Sequence, residues 1–243
     1  MPSSSLAEPA TRRRAPSAAK RVAGGSVAEK LARLGLRTDA DLALHLPLRY
    51  EDETRITPIA NAQPGVAAQF EVQVLSTEVA FRPRRQLVCR VCDANGGSGD
   101  LVLRFLNFYP SQQKMLSPGA RLRIYGEVRG SFLGDEMIHP RCSVLRGDTP
   151  LPASLTPVYP TTAGLGQSVL RRHIEAALTR VDLDETLPPD AVARLGLPAI
   201  AEAVDLLHHP PPTLAFEQIP HATASAWRRV KFDELVAQQL SMR

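Results

Sequence analysis

The stretch DLVLRFLNFYPSQQKMLSPGARLRIYGEVR, residues 100–129, decides how the middle of this chain folds. Its first part sets Leu101, Leu103 and Phe105 in alternation with Val102 and Arg104, the period of a strand with one buried face. From Ala120 the alternation resumes. Between the two lies YPSQQKMLSPG, residues 109–119, the one connection in this region long enough for a helical turn or two. Working outward, QFEVQVLSTEV (69–79) and QLVCRVCDA (86–94) precede the stretch, and EMIHPRCSVL (136–145) comes after it. Turn chemistry in NGGSGD, SPG and SFLGD separates these segments. Five short strands with a helix between the third and fourth is the order of an OB-type Greek-key barrel. The expected fold class is therefore α+β, a five-stranded OB-type Greek-key β-barrel flanked by small helical segments.

The flanks have other periods. Residues 1–26 are rich in Ser, Ala, Pro and Arg, lack apolar periodicity, and read as a disordered basic tail. They hold no apolar run of the kind a secretion signal needs, and plain disorder ranks above an organellar transit peptide of similar composition. Val27, Leu31 and Leu34 come next at helical spacing, with Ser26 as N-cap and Gly35 as stop. Thr38 or Asp39 caps a second short helix through Leu42 and Leu46, ended by Pro47, so residues 27–50 form a helical hairpin. Residues 51–150 are the OB-fold region. Beyond it, residues 151–243 read as a helical linker: Leu170, Ile174, Leu178 and Val181 share one helical face, AIAEAVDLLHH is a short helix stopped by prolines, and the last segment is amphipathic through Phe232, Leu235, Val236 and Leu240.

Composition narrows the function. Of 29 basic and 25 acidic residues, five basic and one acidic lie in the tail, so the formal +4 resides there and the remaining charges cancel. Residues 54–150 nevertheless hold twelve basic and eight acidic residues. No apolar run approaches the ~18 residues that span a bilayer. Three cysteines make no complete disulfide set, and a reducing, cytoplasmic setting is the simplest reading. Cys89 and Cys92 have C-x-x-C spacing, but on a strand residues three apart face opposite ways and cannot chelate jointly. The histidines are scattered, with His208 and His209 at a helix end where capping or solvation is the default. The YEDE run, Tyr50–Glu53, reads as a solvated turn. No G-x-x-x-x-G-K-[ST] loop exists, so no nucleotide site, catalytic set, cofactor or metal site is expected in this chain.

There remains a pattern of cations among rings. Arg82, Arg84 and Arg85 lie in the loop between the first two strands, Phe132 sits in SFLGD, and Arg104 and Lys114 flank Phe105, Asn107, Phe108 and Tyr109. Single-stranded nucleic acid suits such a surface, because phosphates take cations and bases take flat faces. The same pattern fits core aromatics with solvated arginines. Alternation puts Phe105 on the face of Leu101 and Leu103, hence in the core, and leaves Phe108 and Tyr109 at the strand exit.

Five collinear segments add a resemblance: LALHLPLRYEDET, RFLNF, GEVRG with EMIHPR, LTPVYPTTAGLGQSVLRRHIEAAL, and RRVKFDELVAQQLSMR. Together they resemble the N-terminal portion of the RecG family, bacterial ATP-dependent helicases of branched DNA. The resemblance implies a wedge domain of OB fold at the branch point of replication forks and Holliday junctions, in recombination and repair. In that family aromatics around an F-N motif stack on bases at the branch. Here the motif is FLNFY, with Leu106 where many relatives have a second phenylalanine. Phe108 and Tyr109 are the expected stacking rings, with Asn107 shaping the turn.

RVAGGSV is a reduced form of the family's glycine turn. The helicase motor, with its ATP and Mg²⁺, would come after the FDELVAQQL helix and is expected to be missing here. The chain is then a cytoplasmic monomer, at the nucleoid when on DNA, that binds branched or single-stranded DNA and touches no membrane. It carries no ATPase activity of its own. The alternative is an OB-type protein-interaction module with no DNA role, its arginine loop docking an acidic partner.

Overall fold

A computed structural model describes residues 25–82, 84–131, 134–147, 149–213 and 218–242. The expected basic tail falls almost wholly outside them. Two capping boxes start the described chain. Ser26 Oγ accepts the Glu29 amide at 3.2 Å while the Glu29 carboxylate accepts that of Ser26 at 3.0 Å, opening α1 (Val27–Arg33). Thr38 and Asp41 repeat the exchange at the start of α2 (Asp39–Ala43). That helix stops at Ala43, short of Leu46, which packs among the C-terminal helices instead.

The next segment corrects the reading of YEDE as a solvated turn. Arg49–Glu51 is a strand, β1, paired antiparallel with Thr156–Val158 much later in the chain. Tyr50 is buried and donates its hydroxyl to the Leu207 carbonyl at 2.6 Å. Glu51 and Glu53 bind the Arg141 guanidinium at 2.9 and 2.5 Å. A short 3₁₀ turn at Ile59–Asn61 leads into the sheet.

The sheet is organised by β2 (Ala67–Ala80), which is long enough to serve two partners. Its first half pairs with β5 (Arg121–Glu127) and its second with β3 (Gln86–Asp93). The ladder shifts by one residue between Val74 and Ser76, a β-bulge at Leu75. Before it Phe70, Val72 and Val74 face inward, and after it Thr77 and Val79 do, while Leu75 is left half exposed. The bulge thus bends the strand and keeps its apolar side on the core. β3 pairs onward with β4 (Asp100–Phe105), and α3 (Pro110–Met115) fills the connection to β5. Cys89 is buried on the inner face of β3, and Cys92 lies on the outer one.

Among the described residues the hydrogen-bonded run has seven strands, not five, and its ladder does not close. After β5 come β6 (Arg129–Ser131), β7 (Gly134–Ile138) and β8 (Arg141–Val144), and the spatial order is β6-β7-β4-β3-β2-β5-β8. The expected last strand is broken in two by His139 and Pro140. His139 holds a left-handed backbone at φ 53°, and proline brings no amide to a ladder. The first half, β7, runs parallel to β4, and the second, β8, antiparallel to β5. These two halves of one segment therefore stand near opposite ends of the strand order.

The strand β9 (Thr156–Val158) completes the pair with β1, and helices come next: α4 (Gln167–Leu178), α5 (Pro189–Leu195), α6 (Ile200–His208), α7 (Ile219–Ala222) and α8 (Ala224–Ser241). Leu31, Leu36 and Leu42 of the N-terminal hairpin share one core with Tyr159, Leu170, Ile174 and Ala177. His208, expected to be a cap or solvated, is buried: its Nε2–H donates to the Ala43 carbonyl at 2.8 Å, and its Nδ1 accepts from the Tyr159 hydroxyl at 2.7 Å. α8 packs on α6 through Ala226 and Trp227, but Leu235 and Leu240 of its expected apolar face are exposed.

Candidate nucleic-acid interface

The exit of β4 is set by its neighbours. Phe105 is 1% exposed in the sheet core, beneath an edge-on contact with the His139 ring, so it offers no face to a base. His139 also ties down the chain on either side of Phe105: its amide donates to the Arg104 carbonyl at 2.8 Å, and its Nε2 accepts the Leu106 amide at 3.2 Å. Asn107 is exposed in the bend. Pro110 occupies the first position of α3, which holds Tyr109 in extended backbone and turns its ring outward. Tyr109 is 76% exposed. Phe108 is half-buried against the edge of the core, and the Arg85 guanidinium covers its ring at 4.2 Å.

The arginine hairpin reaches the same end of the sheet. The last β2–β3 pair is Ala80 with Gln86, and Leu87 lies opposite Phe105 across β3–β4. One step further out, Arg85 is level with Asn107, which is why it meets Phe108. Arg82, Arg84, Arg85 and Lys114 are exposed and form no ion pair among the described residues. Lys114 lies five residues along α3 from Tyr109, roughly 7.5 Å at the helical rise. Most other cations of the sheet are engaged: Arg123 with Glu71 at 2.7 Å, Arg129 with Glu127 at 3.3 Å, Arg141 with the two glutamates above. Arg104 belongs with these, since Glu136 neutralises it at 2.6 Å.

Of the ten expected site residues, the structure thus gathers Asn107, Phe108, Tyr109, Arg82, Arg84, Arg85 and Lys114 at one end. It buries Phe105 and pairs Arg104. Phe132 lies outside the described residues. The sequence motifs pass over Phe81, which stands at the base of the arginine hairpin and is 71% exposed. No motif or period in the sequence marks its position, which depends on the bulge at Leu75.

Elsewhere a concavity of about 800 Å³ is lined by Leu48, Tyr50, Trp227, Phe232 and Leu235 with Arg49, Arg228 and Lys231, and by none of the ten expected site residues. No glycine loop with its lysine occurs in the sequence, and no three His, Cys, Asp or Glu gather as metal ligands among the described residues. No helix among them is long and apolar enough to cross a membrane.

A family model described as the RecG wedge domain matches residues 18–181. The chain is 42% identical over 225 residues to the ATP-dependent DNA helicase RecG of Escherichia coli K12, covering 90% of this chain and 32% of that protein. Identity is 38% to RecG of Pasteurella multocida and 32% to that of Acidithiobacillus ferridurans, again covering 32% of each relative. The chain therefore spans about a third of the length of the curated relatives it matches. Its fold is similar to that of a RecG bound to a three-way DNA junction, with TM-score 0.61 and 23% identity, covering 88% of this chain and 28% of that one.

Proposed function

The chain belongs to the RecG wedge-domain family, and from that membership we propose that it binds branched DNA at the β4 exit and the arginine hairpin, without hydrolysing ATP itself. One observation carries the reading: Arg82, Arg84, Arg85 and Lys114, without ion pairs among the described residues, lie at the same end of the sheet as the rings of Phe108 and Tyr109, with Arg85 over Phe108. Cations there hold phosphates, and the exposed ring of Tyr109 takes a base that has lost its partner. A duplex end-on to this surface meets both, so strands part around it.

The sheet is read as an OB-type barrel whose fifth strand is broken. A helix between β4 and β5, a parallel β4–β7 pair and an antiparallel β5–β8 pair support this, with β7 and β8 only two residues apart. Residues 51–150 are then the wedge, and residues 27–50 with 151–243 the helical support that links it, in the whole helicase, to the motor. The chain works as a monomer in the bacterial cytoplasm, at the nucleoid when on DNA, and takes the single strands of a fork as well as its branch.

Tyr109→Ala tests the reading. The ring is exposed, so the variant keeps its folding transition but binds a three-way fork about 5- to 150-fold more weakly, the loss expected for one stacked base. Fork binding equal to wild type contradicts it. Affinity should also fall with salt, each neutralised phosphate adding about 0.9 to the slope of log K against log salt.

A further inference from the structure

We propose that Phe81, on the arginine hairpin, is a second stacking ring that takes an unpaired base on a different strand from the one held at Tyr109. This rests on the wedge reading above and extends it to a residue that reading does not use. Among the described phenylalanines, Phe70 and Phe105 are buried and Phe108 and Phe232 half-buried, whereas Phe81 is 71% exposed. Its position explains the exposure. After the Leu75 bulge the inward positions of β2 are Thr77 and Val79, and Phe81 is the next in that register. The strand has by then run past the end of the core, so the ring stands over the end of the sheet instead of inside it.

Its surroundings select the ligand. Residues 79–92 contain no acidic side chain. Arg82 and Arg84 come directly after it, exposed and without ion pairs among the described residues. One step beyond the last β2–β3 pair, Phe81 faces Arg85 across the hairpin, and Arg85 in turn covers Phe108. A ring bordered by free guanidinium groups suits a base whose own phosphates lie within their reach. An acidic peptide would use the cations and leave the ring idle.

Spacing assigns the strand. Phe81 follows β2 and Tyr109 follows β4, and those strands, with β3 between them, are two strand spacings apart, about 10 Å. Neighbouring bases of one stacked strand are about 3.4 Å apart, so two such rings do not serve consecutive bases. They serve the first unpaired bases of two arms, with Arg85 and Phe108 between them at the branch.

The test uses the full chain and a three-way fork carrying 2-aminopurine as the first unpaired base of one arm or the other. Wild type should change the emission of both labels. Phe81→Ala should abolish the change on one arm only and weaken fork binding about tenfold, with duplex binding and the thermal transition unchanged. Tyr109→Ala should silence the opposite arm, and Phe81→Trp but not Phe81→Leu should behave as wild type. If Phe81→Ala matches wild type in both emission and affinity while wild type still prefers fork to duplex, this inference fails and the wedge reading stands. It also fails if both alanine variants silence the same arm, or if Phe81→Ala lowers the thermal transition. A wild type with no preference for the fork overturns the wedge reading and this inference with it.

Discussion

His139 keeps a left-handed backbone at φ 53°, a conformation that costs a non-glycine residue roughly 1–2 kcal/mol. The return is local: its side chain accepts the Leu106 amide and its amide donates to Arg104, so both sides of the β4 exit are held. His139→Ala keeps the strain and loses the side-chain bond, and should lower unfolding free energy by about 1 kcal/mol in urea titration. His139→Gly loses the same bond but adopts the backbone without strain, and should cost less than the alanine. Fork binding should weaken in both variants, because the path of residues 106–109 loosens. Phe108 and Tyr109 separate in the same way. Phe108→Ala removes a half-buried ring that packs on the core and should lower the melting temperature, whereas Tyr109→Ala should leave it unchanged. Alternation placed Phe105 inside from sequence alone, and the approach to Pro110 placed Phe108 and Tyr109 at the strand exit. Tyr109 is exposed there, but Phe108 is half-buried, because it packs on the edge of the core and Arg85 from another strand lies across it.

At the scale of elements, the end of α6 sets a pH dependence. Burial holds the His208 imidazole below the ordinary 6.5, against the opposing pull of its bond to the Ala43 carbonyl, and the bond its Nδ1 accepts from Tyr159 needs the neutral ring. His209 next to it is pushed up to about 9, first by its hydrogen bond to Glu175 and, against burial, by a second to Asp205. The signs oppose. A histidine raised in the fold contributes fully below 6.5, and its contribution declines above that and is gone beyond about 9; one lowered contributes fully above 6.5 and loses it as pH falls. For this pair the optimum lies near pH 6.5. The denaturation midpoint should fall on both sides of it, and His209→Gln should flatten the decline between pH 6.5 and 9. None of this was legible in HHPPP, because the partners Tyr159, Ala43 and Glu175 are remote in sequence. The strands β2 to β5 were legible from their period, as was the N-cap Ser26, while Thr38 and Asp39 stood as alternatives for the second cap and Thr38 fills it. The bulge at Leu75 and the break at His139 were not, since neither changes the apolar count of its segment.

In the whole molecule, cores join segments that the sequence suggests are separate. The N-terminal hairpin packs on α4, and β1 pairs with β9, so both flanks of the sheet region meet. Arg229 does the same near the C-terminal end: fully buried in α8, it donates to Glu185 at 2.6 Å, to Asp233 at 3.0 Å and to the Pro198 carbonyl at 2.8 Å. Arg229→Met leaves two carboxylates and a carbonyl without their cation. Because those carboxylates are partly exposed, the loss should fall at the lower end of about 3–5 kcal/mol, measured by urea unfolding. Charge is divided on the same scale: Arg104, Arg123, Arg129 and Arg141 of the sheet are ion-paired, while Arg82, Arg84, Arg85 and Lys114, at the end where DNA binding is proposed, have no ion pair among the described residues. That division is what a fork-binding surface requires, and it makes fluorescence anisotropy with a labelled three-way fork and a duplex of equal length the most direct measurement. The account predicts that the full chain binds the fork more tightly than the duplex and that the preference shrinks in Tyr109→Ala. Equal affinity for the two DNAs would contradict it.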